Sequence, residues 1–273
     1  MKFDLIISDY DGTLGGAPTN TIDKETVDAI NAFTNKGGKF VVCTGRMFAS
    51  AQAICKSVNL NGIVVAFQGA MIKDIQSGYS YFSGGLSPEV ASKVVESFMK
   101  EGEQVVAFIG DELYHQNHKA YLDFYQHLLK VKSVGVSDLA KTILEKNQTV
   151  SKVCILCDKE KAFALADKYN ETMGGKQVIF NNGADVIVEA VNPNYTKKFA
   201  VEFLAKHFNI PYERIMTVGD STNDIGLMQG AWHGVAVGNA REELKAYAKE
   251  VTVPFSEKPV KYLIEKYCLE DER

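Results

Sequence analysis

The opening stretch constrains the fold more than any other. Phe3-Asp4-Leu5-Ile6-Ile7 is short, mostly apolar and β-prone, and it runs into a polar turn, Asp9-Tyr10-Asp11-Gly12-Thr13. An apolar run stopped in this way is how a buried parallel strand ends at a loop. Two carboxylates two residues apart at such an end can both reach a cation, while backbone N–H groups around Gly12 can face an anion. Buried carboxylates of like charge need a counter-ion, and a divalent metal supplies one. Asp and Gly are also ordinary turn residues, so the stretch alone leaves a plain surface turn open.

The chain up to residue 82 extends the pattern. Gly15-Gly16-Ala17-Pro18 is loop material, and Asp23 is placed to cap a helix carrying Val27, Ile30 and Phe33 on one face. Gly37-Gly38 ends that helix, and Lys39-Phe40-Val41-Val42-Cys43 is a second strand followed at once by Thr44-Gly45-Arg46. Strand, helix and strand at this spacing form a right-handed βαβ unit with parallel strands. Because α/β sheets bind ligands at the C-terminal strand ends, Thr44 falls beside Asp9. A hydroxyl, a glycine and a guanidinium at that edge suit a phosphate. Thr44 is equally placed as a helix N-cap, and the two roles are compatible. A helix over 47–58, a strand over 62–67, the turn Gln68-Gly69-Ala70 and a hairpin over 71–82 follow.

With 273 residues, 46% of them apolar, the chain can bury a large core in one large domain or two smaller ones. Its formal charge of −4 and lack of a basic run do not indicate a nucleic-acid surface. There is no apolar stretch of membrane-spanning length, and the N-terminus does not read as a signal peptide. Five scattered cysteines suit a reducing compartment rather than a disulfide framework. These features read as a cytoplasmic protein. Cys154-Ile155-Leu156-Cys157 spells C-x-x-C, but within an expected strand its thiols point to opposite faces and cannot easily chelate one metal.

Between residues 83 and 192 the texture changes. Helices over 88–100, 119–129 and 159–173 alternate with strands over 105–109, 112–115, 150–157, 177–180 and 185–191. Two helices on one face of a mostly antiparallel sheet would make an α+β unit, inserted between the halves 1–82 and 193–273 of a parallel-sheet domain. The parallel texture resumes with a helix from Lys197 and a strand over 215–218. That strand ends in Gly219-Asp220-Ser221-Thr222-Asn223-Asp224. A helix over 225–229, a strand over 234–237 and a helix over 241–249 capped by Asn239 complete the pattern. Asp9, Asp11, Asp220 and Asp224 would then converge on one sheet edge. Four acids crowded there without a cation would be strongly destabilising, and oxygen-only ligands point to Mg²⁺.

Asp9-Tyr10-Asp11-Gly12-Thr13-Leu14, Thr44-Gly45-Arg46, Lys197 at a helix start and Gly219-Asp220-x-x-Asn223-Asp224 stand in the order of the four motifs of the haloacid dehalogenase-like phosphohydrolases, and the chain resembles that superfamily. The insertion resembles the type-IIB cap of the Cof-like subfamily, as does Ala236-Val237-Gly238-Asn239-Ala240. The resemblance implies a Rossmann-like, doubly wound α/β core with an α+β cap that chooses the substrate. It implies a Mg²⁺-dependent phosphatase of a small phosphorylated metabolite, such as a sugar phosphate, as a monomer or homodimer. Asp9 would be the nucleophile and Asp11 the general acid and base, its main-chain carbonyl on the metal. Thr44 and Lys197 would hold the phosphoryl group together with Gly12, Gly45, Arg46 and Asn223. Asp220 would bind the metal directly, while Asn223 and Asp224 would reach it through water or orient Lys197. A phosphomutase and a non-catalytic phosphometabolite sensor are the alternatives.

The sequence departs from the subfamily pattern in three places. Asn194-Tyr195-Thr196-Lys197-Lys198 lets Lys198 compete with Lys197, Gln68-Gly69 replaces Asn-Gly, and the segment 254–259 lacks an Asp-Gly. Tyr114, His115, His118, Asn181 and Asn182 are candidates for facing the substrate, weighed against ordinary packing roles.

Overall fold

Apolar runs without alternation become the central strands. In the computed structural model, which describes residues 1–16, 20–129, 131–184 and 186–269, β1 (Leu5–Asp9) is buried at every position. It is followed by α1 (Lys24–Asn35), whose Asp23 cap accepts a hydrogen bond from the Thr26 N–H at 3.0 Å. β2 (Lys39–Cys43), α2 (Phe48–Ser57), β3 (Ile63–Ala66) and the hairpin strands β4 (Met71–Asp74) and β5 (Ser80–Ser83) come next.

The second segment contains α3 (Pro88–Met99), β6 (Gln104–Ile109), β7 (Glu112–His115), α4 (Ala120–Leu129) and β8 (Ser133–Gly135). It continues through α5 (Leu139–Lys146), β9 (Val150–Leu156), α6 (Lys159–Thr172), β10 (Ile179–Ala184) and β11 (Ile187–Val191). The chain then returns through α7 (Lys197–Phe208), β12 (Ile215–Gly219), β13 (His233–Ala236) and β14 (Glu250–Val251).

Two compact units result, one of Met1–Phe82 with Thr196–Arg273 and one of Ser83–Tyr195. The first holds an eight-stranded sheet ordered β14-β13-β12-β1-β2-β3-β4-β5, parallel from β14 to β3. β1 is central. The chain winds outward from it to β2 and β3 on one side and returns through β12 and β13 on the other. That reversal is where an α/β sheet opens a crevice at its C-terminal edge. β1 continues to Asp9, two residues past the apolar run, because β2 carries the ladder on to the Asp9–Cys43 register.

The second unit holds a six-stranded sheet ordered β10-β11-β9-β6-β7-β8, antiparallel except for the β7–β8 pair. Val94, Val95, Phe98, Leu139, Ile143, Leu165 and Tyr169 cover one face, made of Val105, Ala107, Val153, Ile155, Val188 and Ala190. This unit has four helices where three were expected, and β8 and α5 lie in a stretch to which the sequence reading assigned no element. The opposite face carries the Tyr125 ring edge-on to Phe108. Cys157 lies in the helix-side core whereas the Cys154 sulfur meets Tyr125 on the other face, so the C-x-x-C pair is split as strand geometry requires. Burial pushes both thiols up, to about 12 for Cys154 and about 11 for Cys157, which leaves them inert.

Among the described residues no helix is long and apolar enough to cross a membrane. The segment after β13 departs from expectation. The helix there is only Glu242–Lys245, with Arg241 at its N-cap, and Asn239 does not cap it.

Candidate active site

Three loops at the C-terminal ends of β1, β2 and β12 meet the start of α7. Thr196 caps α7 by accepting from the Phe199 N–H at 3.3 Å, which makes Lys197 the first helical residue. Lys197 is 2% exposed, and its Nζ donates to Asp9 Oδ1 at 2.5 Å and to Asp224 Oδ1 at 2.6 Å. Lys198, one residue on, is exposed. The register therefore separates the two lysines physically, since one helical step turns a side chain by about 100°. The turn after β3 fits tightly against this helix start: a Cβ on Gly69 would come within 2.3 Å of the Thr196 carbonyl oxygen.

Asp224 uses both carboxylate oxygens. Oδ1 holds Lys197, and Oδ2 accepts from the Asp220 and Ser221 N–H groups at 3.0 and 3.1 Å. Gly219 makes this possible, because a Cβ there would lie 2.6 Å from the Asp224 side chain. Asp220 is half-buried. Gly12, at φ +83°, brings the first loop directly onto it, so that a Cβ on Gly12 would sit 2.5 Å from Asp220 Oδ2. Asp220 Oδ1 is buried and makes no hydrogen bond to a described residue, and the same holds for Thr13 Oγ1.

Oxygens of Asp9, Asp220 and Asp224 lie within 4.8 Å of one another. The Asp11 carboxylate is not part of that group. It points instead to Arg46, which donates through Nε at 2.9 Å and Nη2 at 2.6 Å.

The loop after β2 supplies the other side. Thr44 is buried, and its Oγ1 accepts from the Arg46 N–H at 3.1 Å, so the hydroxyl proton remains available to donate. Gly45 lets the Gln68 amide pack on the backbone, where a Cβ would meet Gln68 Nε2 at 2.5 Å. Gln68 itself sits at φ +60°, between Phe67 and Gly69, which are also left-handed. Asn223 lies in the β12 loop but is exposed. Asn20, which accepts from Arg46 Nη2 at 2.9 Å, carried no sequence signal.

Electrostatically the site is short of positive charge. Burial pushes the Asp9 carboxyl well above its ordinary range; the charges of Asp224 and Asp220 add to this, and Lys197 offsets it in part. Burial and the Asp224 charge push Asp220 up to about 6. Burial would lower Lys197, but Asp224 and Asp9 outweigh it and hold the ammonium charged. With all three acids ionised, Lys197, the one ammonium paired with them among the described residues, leaves a local deficit of two charges. An all-oxygen donor set with an orphaned carboxylate oxygen fits a hard divalent cation.

The candidate substrate-facing residues of the second unit are less concentrated. Tyr114 is buried in the core, donating to Glu112 at 2.5 Å. His115 and His118 lie ring to ring at 6.1 Å, and His118 pairs with Asp123. Asn181 is exposed on β10, and the Asn182 side chain lies outside the described residues.

The family of haloacid dehalogenase-like hydrolases matches residues 6–264, and the chain belongs to it. The 5-amino-6-(5-phospho-D-ribitylamino)uracil phosphatase YitU of Bacillus subtilis is 25% identical over 268 residues, covering 96% of this chain and 97% of that one. The HMP-PP phosphatase of Cronobacter sakazakii is 26% identical, covering 87% and 85%. A crystal structure from Thermotoga maritima matches the fold with a TM-score of 0.87 at 24% identity, over 98% of this chain and 100% of that one. A subclass IIB sugar phosphatase matches with 0.79 at 21% identity, over 98% and 100%.

Proposed function

We propose that this chain hydrolyses a small phosphorylated metabolite, a sugar phosphate in particular, through an aspartyl-phosphate on Asp9 and with Mg²⁺ as its cofactor. As a member of its family the chain is a hydrolase acting on phosphate esters. The observation that carries the finer reading is the charge deficit: Asp9, Asp220 and Asp224 meet at the sheet edge with Lys197 as their one ammonium. Mg²⁺ held by Asp9, Asp220 and Asp224, with the Asp11 main-chain carbonyl, would neutralise that deficit and the charge on the phosphoryl oxygens.

The chain's own groups do the rest. Lys197 favours the ionised form of Asp9 and fixes it in one orientation, and Asp224 in turn fixes Lys197. The Asp9 carboxylate attacks phosphorus; the ester P–O bond breaks, and Asp11 gives its proton to the leaving alkoxide. Water then attacks phosphorus, the acyl-phosphate bond breaks, and Asp11 takes the proton. Thr44 Oγ1 and Lys197 Nζ stabilise the phosphoryl oxygens, and the backbone at Gly12 and Gly45, with Asn223, completes the cradle. Substrate choice is assigned to the inserted unit. The sugar-phosphate reading draws support from the sugar phosphatase among the structural neighbours and from the ribityl phosphate in the name of the Bacillus relative.

The test is phosphate release from 4-nitrophenyl phosphate and a panel of sugar phosphates, with and without Mg²⁺. Release that needs the metal supports the reading. Positional isomers in place of free phosphate would make the chain a mutase, and binding without turnover would make it a sensor.

A further inference from the structure

Arg46 was expected to bind phosphate, yet its guanidinium is committed elsewhere. Nε and Nη2 form a two-pronged pair with the two oxygens of Asp11, at 2.9 and 2.6 Å. Nη2 also donates to Asn20 Oδ1 at 2.9 Å, and the guanidinium carbon lies 4.9 Å from the centroid of the buried Tyr10 ring. The main chain of Arg46 is anchored too, its N–H on Thr44 Oγ1 and its carbonyl accepting from the Phe67 N–H at 3.0 Å. Arg46 thus ties both ends of the segment between β1 and α1, at Asp11 and at Asn20, to the loop after β2.

We infer that Arg46 is the positioning residue of Asp11, holding its carboxylate where it exchanges a proton first with the leaving group and then with the hydrolytic water. The inference rests on the reading of Asp11 as acid and base. A planar fork of N–H donors fixes a carboxylate in position and rotation together, which a single ammonium cannot do. A carboxylate accepting from the fork at both oxygens presents only lone pairs to anything else. In this arrangement Asp11 keeps free lone pairs with which it can accept a hydrogen bond from water and take its proton, and once protonated there it can give a proton back from the same place. A 4-nitrophenolate leaving group needs no proton, so with 4-nitrophenyl phosphate only the hydrolytic half of the reaction depends on how Asp11 is held. In the hydrolytic step the water oxygen bonds to phosphorus, the bond from phosphorus to Asp9 Oδ breaks, and the water proton passes to Asp11.

This assigns Arg46 a kinetic signature opposite to that of a phosphate ligand. Loss of a ground-state phosphate contact raises KM and spares kcat. Slower phosphoenzyme breakdown lowers kcat and lowers KM with it, because phosphoenzyme accumulates, while kcat/KM still reports its formation. Arg46→Ala and Arg46→Lys should be assayed with 4-nitrophenyl phosphate in rapid-mixing experiments, with melting temperatures to check folding. The expected result is a kcat lower by roughly ten- to a hundredfold, a parallel fall in KM, and a burst of nitrophenolate matching the enzyme concentration. Lysine should give little rescue, since it keeps the charge without the fork.

A raised KM at unchanged kcat, a fall in kcat and kcat/KM together without a burst, or full rescue by lysine would each overturn the inference. Asp11→Asn separates its failure from that of the underlying reading. If Asp11→Asn blocks phosphoenzyme breakdown and the Arg46 variants do not, only the role of Arg46 falls. If Asp11→Asn leaves both half-reactions intact, the acid–base reading of Asp11 falls first.

Discussion

Among the described residues each unit of the molecule buries one lysine against a carboxylate, and the two arrangements have different consequences. In the inserted unit Lys152, 8% exposed, pairs with Glu189 across the β9–β11 register and lies over the Phe108 ring. Burial would lower its pKa, but the Glu189 charge outweighs that and holds the ammonium charged. One cation meets one anion, and the pair is neutral. At the sheet edge of the other unit Lys197 is buried more deeply still but shares two carboxylates, with a third close to them. A balanced buried pair is a structural element. An unbalanced one is unfinished until a cation arrives, and it is the unbalanced one that lies at the crevice of a parallel sheet.

The sharpest way to break this contrast is to remove one carboxylate from each site. Asp9→Asn should abolish turnover by at least about 10⁴-fold, as loss of a nucleophile does. It should not lower the melting temperature of the metal-free protein, because it relieves an excess of negative charge. Turnover above a few per cent of the unmodified enzyme would refute the covalent route. Glu189→Gln should have the opposite effect on stability. It leaves Lys152 buried without its partner, and removing one member of a buried pair costs about 3–5 kcal/mol. Combining Lys152→Met with Glu189→Leu should recover most of that loss, since an apolar pair of similar volume is close to neutral. Lys197→Met has no such simple remedy, because Asp9, Asp220 and Asp224 remain; denaturant midpoints of the four variants check the set.

Next in size is the response to pH. The folded-state pKa values of Asp9 and Asp220 are raised, that of Asp220 to about 6. An acid whose folded pKa exceeds its unfolded value adds stability at low pH and loses it as pH rises through the folded value. The metal-free protein should therefore melt at a lower temperature at pH 7.5 than at pH 5, once other carboxylates are accounted for by running Asp220→Asn alongside. Mg²⁺ should stabilise the protein more at pH 7.5 than at pH 5, because the cation binds the ionised acids. A metal-free melting temperature that rises over this interval equally in both proteins would place the two sites in the same class.

Much of this was legible in the sequence because the signals are local. An apolar run ending in Asp9-Tyr10-Asp11-Gly12, a cap at Asp23 and a Gly-Asp loop after a second apolar run each encode their own conformation within a few residues. What was not legible depends on partners distant in sequence. β8 is three residues long and exists because β7 offers it a ladder, so neither length nor periodicity marked it, and α5 beside it was passed over despite its Asp138 cap. That Arg46 faces Asp11 and Asn20 depends on partners 35 and 26 residues away in the chain, a pairing that no motif describes. The choice between Lys197 and Lys198 turned on a single helical step, set by the Thr196 cap.

Asn239 is the instructive residual, and it carries the smallest predicted effect. Its sequence position suggests a helix cap, but its side chain does other work: Oδ1 accepts from the Phe255 N–H at 2.6 Å, and Nδ2 donates to the Gly12 carbonyl at 3.3 Å. It thereby links the loop carrying Gly12, which packs on Asp220, to the segment after β14. The side chain is exposed and the Gly12 contact is long, so Asn239→Ala should cost about 0.5–1.5 kcal/mol of stability, a typical net hydrogen bond. If the link also keeps Gly12 seated on the Asp220 carboxylate, the variant should need more Mg²⁺ to reach half its metal-induced rise in melting temperature, by about two- to fivefold. An unchanged Mg²⁺ requirement with the same loss of stability would confine Asn239 to tying two loops together, and Gly12 would owe its seat to its own left-handed backbone.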